Sequence, residues 1–292
     1  MQSSFLEDTV VTLLRLAVTD LPKDVSTGLK HALKKESNET AKSQLKAILD
    51  NIRLARERSI PMCQDTGIQI FYLTVGSKFP LLEKLPEIIK QAVERATQEI
   101  PLRPNTVDPI LHQNPGNNTG LHIPWINWHI TEGSELAITA LPKGGGSENV
   151  CRLGMLTPGK GLKGMKQFVI DSVIEAGAKP CPPTILGIGI GGGADICMKI
   201  AKEQLLKPVG QRHSNPKIAK MEKELLDAVN QTGIGPMGLG GDTTALDVHI
   251  DVAMRHPASF PVGLVFQCWA ARRASVVITK EGNVEFTSHK VE

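Results

Sequence analysis

Five cysteines, Cys63, Cys151, Cys181, Cys197 and Cys268, are scattered along 292 residues. An odd number at wide spacing is not a disulfide framework, and in a reducing compartment such thiols stay free. Three of them stand at irregular points beside short apolar runs. Cys63 opens "CQDTG", Cys181 sits between prolines in "KPCPPTILGIG", and Cys268 ends "PVGLVFQC". Prolines on both sides keep Cys181 out of the interior of a helix or sheet. Rigid, non-repetitive backbone suits a thiolate aimed at a metal. Cys197 falls on the apolar side of "GADICMKIAKEQLL" and reads as core, and Cys151 is ambiguous. Three thiolates could hold zinc or an iron–sulfur cluster. Structural zinc sites use paired C-x-x-C spacings and a fourth ligand, which are missing here. A [4Fe–4S] cluster normally takes four thiolates. With three, one iron keeps an open position and can act as a Lewis acid. Spacing alone leaves both open.

Polar and flexible residues surround these thiols. Gln64, Asp65 and Thr66 follow Cys63 directly. Asp65 could exchange a proton with a substrate, and Asp-Thr-Gly is equally good turn chemistry. Glycine-rich stretches occur in "KGGGSEN", "GIGIGGGAD" and "GLGGDTT". Their backbone N–H groups could approach a small anion such as a carboxylate. Gly187, Gly189 and Gly192 formally match a dinucleotide fingerprint, but no second strand ending in an acid follows. Nicotinamide binding is therefore set aside.

The totals exclude other classes. A net charge of +3, dispersed among both signs, and an aromatic content of 4% argue against a nucleic-acid surface. No segment approaches the roughly 20 apolar residues of a membrane span. The start, "MQSSFLEDTVVTLL", carries acids where a secretory leader carries bases, so a cytoplasmic location is expected.

The elements that must position these groups follow from periodicity. Ser4 and Glu7 suggest a capping box ahead of the first helix, "FLEDTVVTLLRLAVTD". Helices are predicted in "NETAKSQLKAILDNIRLARERS", "LPEIIKQAVERATQEI", "GLKGMKQFVIDSVIEAGA" and "NPKIAKMEKELLDAVNQTG". "IQIFYLTVG", "ELAITALP", "TILGIGI" and "FPVGLVFQ" read as apolar strands, whereas "NPGNNTGLHIPWINWHI" is dense in turn formers. The predicted fold class is α/β: a helical N-terminal part, about residues 1–60, then a mixed α/β core with glycine-rich loops, about 61–285, in a single catalytic unit of residues 1–292.

"CQDTG", "KGGGS", "CPP" and "RHPASFPVGLVFQCWAARR", in this order, resemble the class I, iron–sulfur-dependent fumarate hydratases and the related L-tartrate dehydratases. The resemblance covers about residues 40 to 280 and its motifs are specific. The family comes as one long chain or as two subunits. A chain that stops soon after its third cysteine motif looks like the α subunit of the two-subunit type, inactive without a β subunit, with α2β2 as the expected assembly. The resemblance implies a [4Fe–4S] cluster held by Cys63, Cys181 and Cys268, whose open iron takes a dicarboxylate substrate. It implies proton transfer at Asp65 and substrate contacts at Gln64, Arg103, Gly145, His256 and Arg272. The catalytic base is expected on the β subunit. Asp242 is given no role, and Arg273 reads as a surface charge. Two alternatives stay open: a zinc-thiolate enzyme with an anion pocket, and a redox-sensing cluster protein.

Overall fold

The computed structural model describes residues 2–290. In chain order it contains α1 (Ser3–Thr19), α2 (Lys23–Lys35), α3 (Glu39–Arg58), β1 (Ile68–Gly76), α4 (Leu85–Glu99), β2 (Trp125–Thr131), β3 (Leu136–Lys143) and the single turn α5 (Gly145–Glu148). Then come β4 (Arg152–Leu156), α6 (Gly161–Ala176), β5 (Thr184–Gly192), α7 (Ala194–Glu203), α8 (Pro216–Asn230), β6 (Ala245–Arg255), β7 (Phe260–Gln267), β8 (Ala274–Ile278) and β9 (Val284–Phe286). This is an α/β fold. Among the described residues no helix is long and apolar enough to cross a membrane.

The chain forms two compact units. One takes Met1–Lys23, Asn51–Gly145 and Arg272–Glu292; the other takes Asp24–Asp50 and Gly146–Ala271. The N-terminal helices are thus shared out: α1 goes to the first unit and most of α2 to the second.

The first unit is built on a five-stranded sheet of order β2-β1-β3-β8-β9. In β1, Phe71, Leu73 and Val75 alternate onto one face and are buried, while Thr74 on the opposite face is exposed. The buried face continues through Leu136, Ile138 and Ala140 of β3 and Ala274, Val276 and Ile278 of β8. It packs against Leu6, Val10, Leu13, Leu14 and Ala17 of α1 and Ile88, Ile89, Ala92, Val93 and Ala96 of α4. Each fully buried aliphatic side chain contributes about 1.5–3 kcal/mol. β1 and β2 run parallel with α4 as their crossover, and β3 pairs antiparallel with both β1 and β8.

The second unit has a four-stranded sheet of order β4-β7-β5-β6. β5 and β6 are parallel, and β7 is antiparallel to β5 and β4. α6 and α8 cover one face through Met165, Val169, Val173, Ile218, Leu225 and Val229. α7 covers the other face very closely. A Cβ at Gly187 or Gly189 would lie 2.0 Å from the carbonyl oxygens of Ala201 and Cys197, respectively. The glycines that mimic a dinucleotide fingerprint are therefore the strand's contact surface for a helix.

Two sequence expectations change. The capping box does not form. α1 begins at Ser3 with Gln2 as its cap residue and no side-chain cap bond, so Ser4 already lies within the first turn. The turn-rich segment ends in a strand, because Trp125–Thr131 finds a parallel ladder on β1 from Ile70↔Trp125 to Gly76↔Thr131. Asn38 and Asn215 supply the genuine caps, accepting from Thr40 N–H at 2.9 Å and Lys217 N–H at 3.0 Å.

Candidate active site

The first unit gathers Cys63, Gln64, Asp65, Arg103, Gly145 and Arg272. "CQDTG" forms the approach to β1, and "KGGGS" leaves the neighbouring end of β3, since Ile68 pairs with Lys143. The turn fits only because of two glycines. Gly67 has φ +81°, and a Cβ there would meet the backbone of Pro142 and Lys143 at 2.7 Å. A Cβ at Gly144 would lie 2.9 Å from Arg272 Nη2 and 3.1 Å from Asp65 Oδ2.

Asp65 is the centre of this arrangement. Its Oδ1 accepts the Gly67 N–H at 2.9 Å and the Asn105 amide at 3.3 Å, and its Oδ2 accepts the Gly145 N–H at 2.8 Å. Its backbone carbonyl accepts from Arg272 Nη1. Gln64 and Gly145 are exposed, Cys63 and Asp65 half-buried. The Arg103 side chain is exposed, while its carbonyl accepts from Thr66 Oγ1 at 3.2 Å and Asn118 Nδ2 at 3.2 Å. Asn105 and Asn118 were missed in the sequence. Neither belongs to a motif, and their roles appear only when the 103–118 stretch meets the "CQDTG" turn.

Arg272 is 1% exposed, and its Nε has no hydrogen-bond partner. Among the described residues no carboxylate lies within ion-pair distance of its guanidinium. A buried cation without an anion is costly. Its position, bonded to the Cys-Gln-Asp turn, calls for an anionic group. Arg273 departs from its expected surface position: it is buried, 5% exposed, and held by partners of its own.

The second unit holds Cys181, His256 and Cys268. Strand pairing explains which of these meet. β5 and β7 are antiparallel with Ile185 opposite Gln267, so the segment before β5 and the segment after β7 emerge at one end of the sheet. There Trp269 N–H donates to the Cys181 carbonyl at 3.1 Å. Both thiols are half-buried, and Cys181 sits in the left-handed region at φ +53°. His256 lies at the opposite end. Arg255 pairs with Gly192, and all eight residues of β7, a run of roughly 25 Å, separate the His256 turn from Cys268. His256 is exposed, and its Nδ1 accepts from Ala258 N–H at 3.1 Å.

The remaining cysteines differ in setting. Cys197 is fully buried, and burial pushes its thiol pKa up, so it stays protonated. Cys151 donates to Ser147 O at 3.4 Å. Asp242 has a structural place: its Oδ2 accepts from Ser37 N–H at 2.7 Å, and the Ser37 side chain and backbone hold its pKa down.

Comparison with known proteins gives the family. The family model described as fumarate hydratase (fumerase) matches residues 7–277. The chain belongs to this family of hydro-lyases. It is 50% identical over 273 residues to a Methanocaldococcus jannaschii protein named "Putative L(+)-tartrate dehydratase subunit alpha", covering 92% of this chain and 96% of the relative. It is 36% identical over 285 residues to the L(+)-tartrate dehydratase subunit alpha of Escherichia coli O157:H7, covering 97% and 94%.

Cys181 and Cys268, half-buried at one end of the second unit's sheet, have the donor chemistry of the cluster that the family implies. Among the described residues no group of three or more His, Cys, Asp or Glu side chains converges to hold a single ion. A [4Fe–4S] cluster binds each thiolate through a different iron, so its cysteines surround the group rather than share one ion. Partly exposed thiols on irregular backbone suit such a group.

Proposed function

We propose that this chain is the cluster-bearing α subunit of a hydro-lyase that interconverts fumarate and L-malate together with a β subunit. The observation that carries the proposal is the Asp65 carboxylate, fixed by the Gly145 and Gly67 N–H groups two residues from Cys63. Cys63, Cys181 and Cys268 would hold a [4Fe–4S] cluster. When bound, such a cluster supplies an open iron that polarises a hydroxyl or carboxylate oxygen of the substrate.

The chain's own residues supply the rest. Hydration places a proton on one carbon of the double bond and hydroxide on the other; dehydration reverses both. Asp65 is the proton-transfer group near the carbon skeleton, already held at both oxygens and so paying little reorganisation. Arg103, exposed on a tethered segment, binds a substrate carboxylate, and Gln64 adds a neutral hydrogen bond. Gly145 acts through its N–H, which holds Asp65 Oδ2. Arg272 holds the Asp65 main chain and puts positive charge where negative charge gathers on the substrate. His256 enters as a substrate contact supplied to a neighbouring copy, because β7 holds it away from Cys268 in its own chain. Subunit names of the relatives support the β partner, and a reducing, cytoplasmic setting suits free thiols.

A second substrate is favoured by the relatives' names, which specify L(+)-tartrate. One experiment addresses both. The chain is co-expressed with its β subunit, reconstituted anaerobically with iron and sulfide, and assayed with fumarate and with L-tartrate. Activity on fumarate that is lost in air supports the proposal. Activity on tartrate alone keeps the mechanism and changes the substrate. A colourless protein that is inert towards both overturns it.

A further inference from the structure

We infer that Asn105 is a positioning residue for Asp65, and that it holds Asp65 and Arg103 in one register. The inference rests on the proposed role of Asp65 and deepens it. Asn105 Nδ2 lies 3.3 Å from Asp65 Oδ1, 3.2 Å from the Gly67 carbonyl and 3.4 Å from Thr66 Oγ1. The first two neighbours have no proton to give, so the amide must present its NH2 to them. Its two hydrogens match these two acceptors. The Thr66 hydroxyl donates elsewhere, to the Arg103 carbonyl at 3.2 Å, leaving only lone pairs toward Asn105.

Asn105 is itself anchored from behind. Its N–H donates to Asn118 Oδ1 at 2.7 Å. Asn118 is 1% exposed and donates to Thr97 Oγ1 at 3.1 Å and to the Arg103 carbonyl at 3.2 Å. Thr97 bonds back to Val93 O within α4 at 2.7 Å. A continuous line of hydrogen bonds therefore runs from the core helix to the Asp65 carboxylate. Pro104 stiffens the three-residue segment that carries Arg103 at one end and Asn105 at the other. An Asp side chain is loose about its last torsion, which has broad, twofold preferences. Gly145 fixes one oxygen and Gly67 the other at its inner edge; Asn105 closes the outer side of that second oxygen. Removing it frees the carboxylate to turn away from the substrate, with the fold intact.

The test uses the complete anaerobic α/β enzyme carrying Asn105→Ala or Asn105→Asp. Asn105→Asp keeps the shape but removes both N–H donors and faces acceptors with an acceptor. Both variants are expected to assemble, to keep the wild-type visible spectrum, and to lose about 10- to 100-fold in kcat, the range for losing a hydrogen bond to a charged group. KM should move far less. Hydrogen exchange at the Gly67 and Gly145 amides should speed up in both. Wild-type kcat in Asn105→Asp would show that the residue only fills space and would overturn the inference. So would unchanged exchange at both amides. If the wild type neither hydrates fumarate nor dehydrates tartrate yet the exchange responds as expected, positioning stands and the functional reading falls.

Discussion

The Gly145 N–H donates to Asp65 Oδ2 at 2.8 Å, a bond between residues 80 positions apart. It joins the two motifs that stood out separately in the sequence. Antiparallel pairing of β1 with β3 brings them together, because the turn before β1 and the loop after β3 share one end of the sheet. The glycines of "KGGGS" then take on distinct tasks. Gly145 is a donor, whereas Gly144 is a space.

Gly144→Ala tests that space. The new Cβ would press on Arg272 Nη2 at 2.9 Å and Asp65 Oδ2 at 3.1 Å, and Arg272 is too buried to retreat. Catalytic activity should fall at least about 10-fold, with a small loss of melting temperature. Gly146→Ala is the control, since its Cβ would meet only the Lys179 carbonyl, at 3.4 Å. Equal activity in the two variants would remove Gly144 from the site.

Asp65→Asn changes charge without changing shape. Proton transfer by a placed side chain is worth about 10²- to 10⁴-fold, and the loss in kcat should fall in that range. The amide also brings NH2 against one of the donors Gly67 N–H or Gly145 N–H. Assembly and visible absorbance should be retained. More than a tenth of wild-type kcat on both fumarate and tartrate would show that the proton passes elsewhere.

The cysteines should separate by spectrum. Cys63→Ser, Cys181→Ser and Cys268→Ser should each abolish a stable [4Fe–4S] absorbance after anaerobic reconstitution. Cys197→Ser should keep it, because that thiol is fully buried, stays protonated and donates to Ala194 O at 3.4 Å. Its cost is a core substitution of about 1 kcal/mol, seen as a lower melting temperature. A full cluster spectrum in any of the first three would remove that cysteine from the ligand set.

Much of this was legible in the sequence for definite reasons. The apolar alternation of "IQIFYLTVG" and the helical spacing of "KSQLKAILDNIRLA" depend only on local pattern, and β1 and α3 appear where that pattern puts them. Cys197 read as core because helix periodicity decides its face. β2 was hidden because Trp125, Trp128 and Ile130 are exposed and only pairing with β1 makes the segment a strand. Arg273 looked exposed because no local signal reports tertiary burial. Asn105 and Asn118 could not be seen at all, since their value lies in hydrogen bonds to residues distant in the chain. The opposition of His256 and Cys268 needed the strand between them to be straight and complete.

His249 sets a pH limit on stability. It is fully buried on β6, and neither ring nitrogen has a hydrogen-bond partner. Burial pushes its pKa down, against the attraction of Asp247 and Glu222 and together with the repulsion of Arg212 and Lys207. Asp247 lies 3.6 Å from its Nε2 but is committed to Arg212 at 2.6 Å. In the unfolded chain the ring regains a pKa of about 6.5. The unfolded state therefore takes up a proton first, and stability falls as pH drops below about 6.5, by up to about 1.4 kcal/mol per pH unit. Denaturant midpoints should be flat above that pH and decline below it. His249→Phe should flatten the decline; an unchanged slope would place the acid sensitivity in other groups.

The 25 Å run of β7 makes a prediction about copies. If His256 serves a substrate, it serves one bound by another chain, because its own Cys268 lies at the far end of the strand. His256→Ala and Cys268→Ser α subunits should each be inactive with wild-type β subunit. Co-expressed in one assembly, they should recover activity. Sites that pair an intact cluster with an intact His256 from the neighbour form only in the mixed oligomer. A single mixed pairing with one such site per α dimer gives about half of wild-type activity; random pairing of the two variants lowers this to about a quarter. Recovery should grow with the ratio of the two chains and peak at equal amounts. Full activity of His256→Ala alone would remove the histidine from the reaction. Inactivity of every mixture would mean that His256 serves no site in another chain, and its role would then be structural.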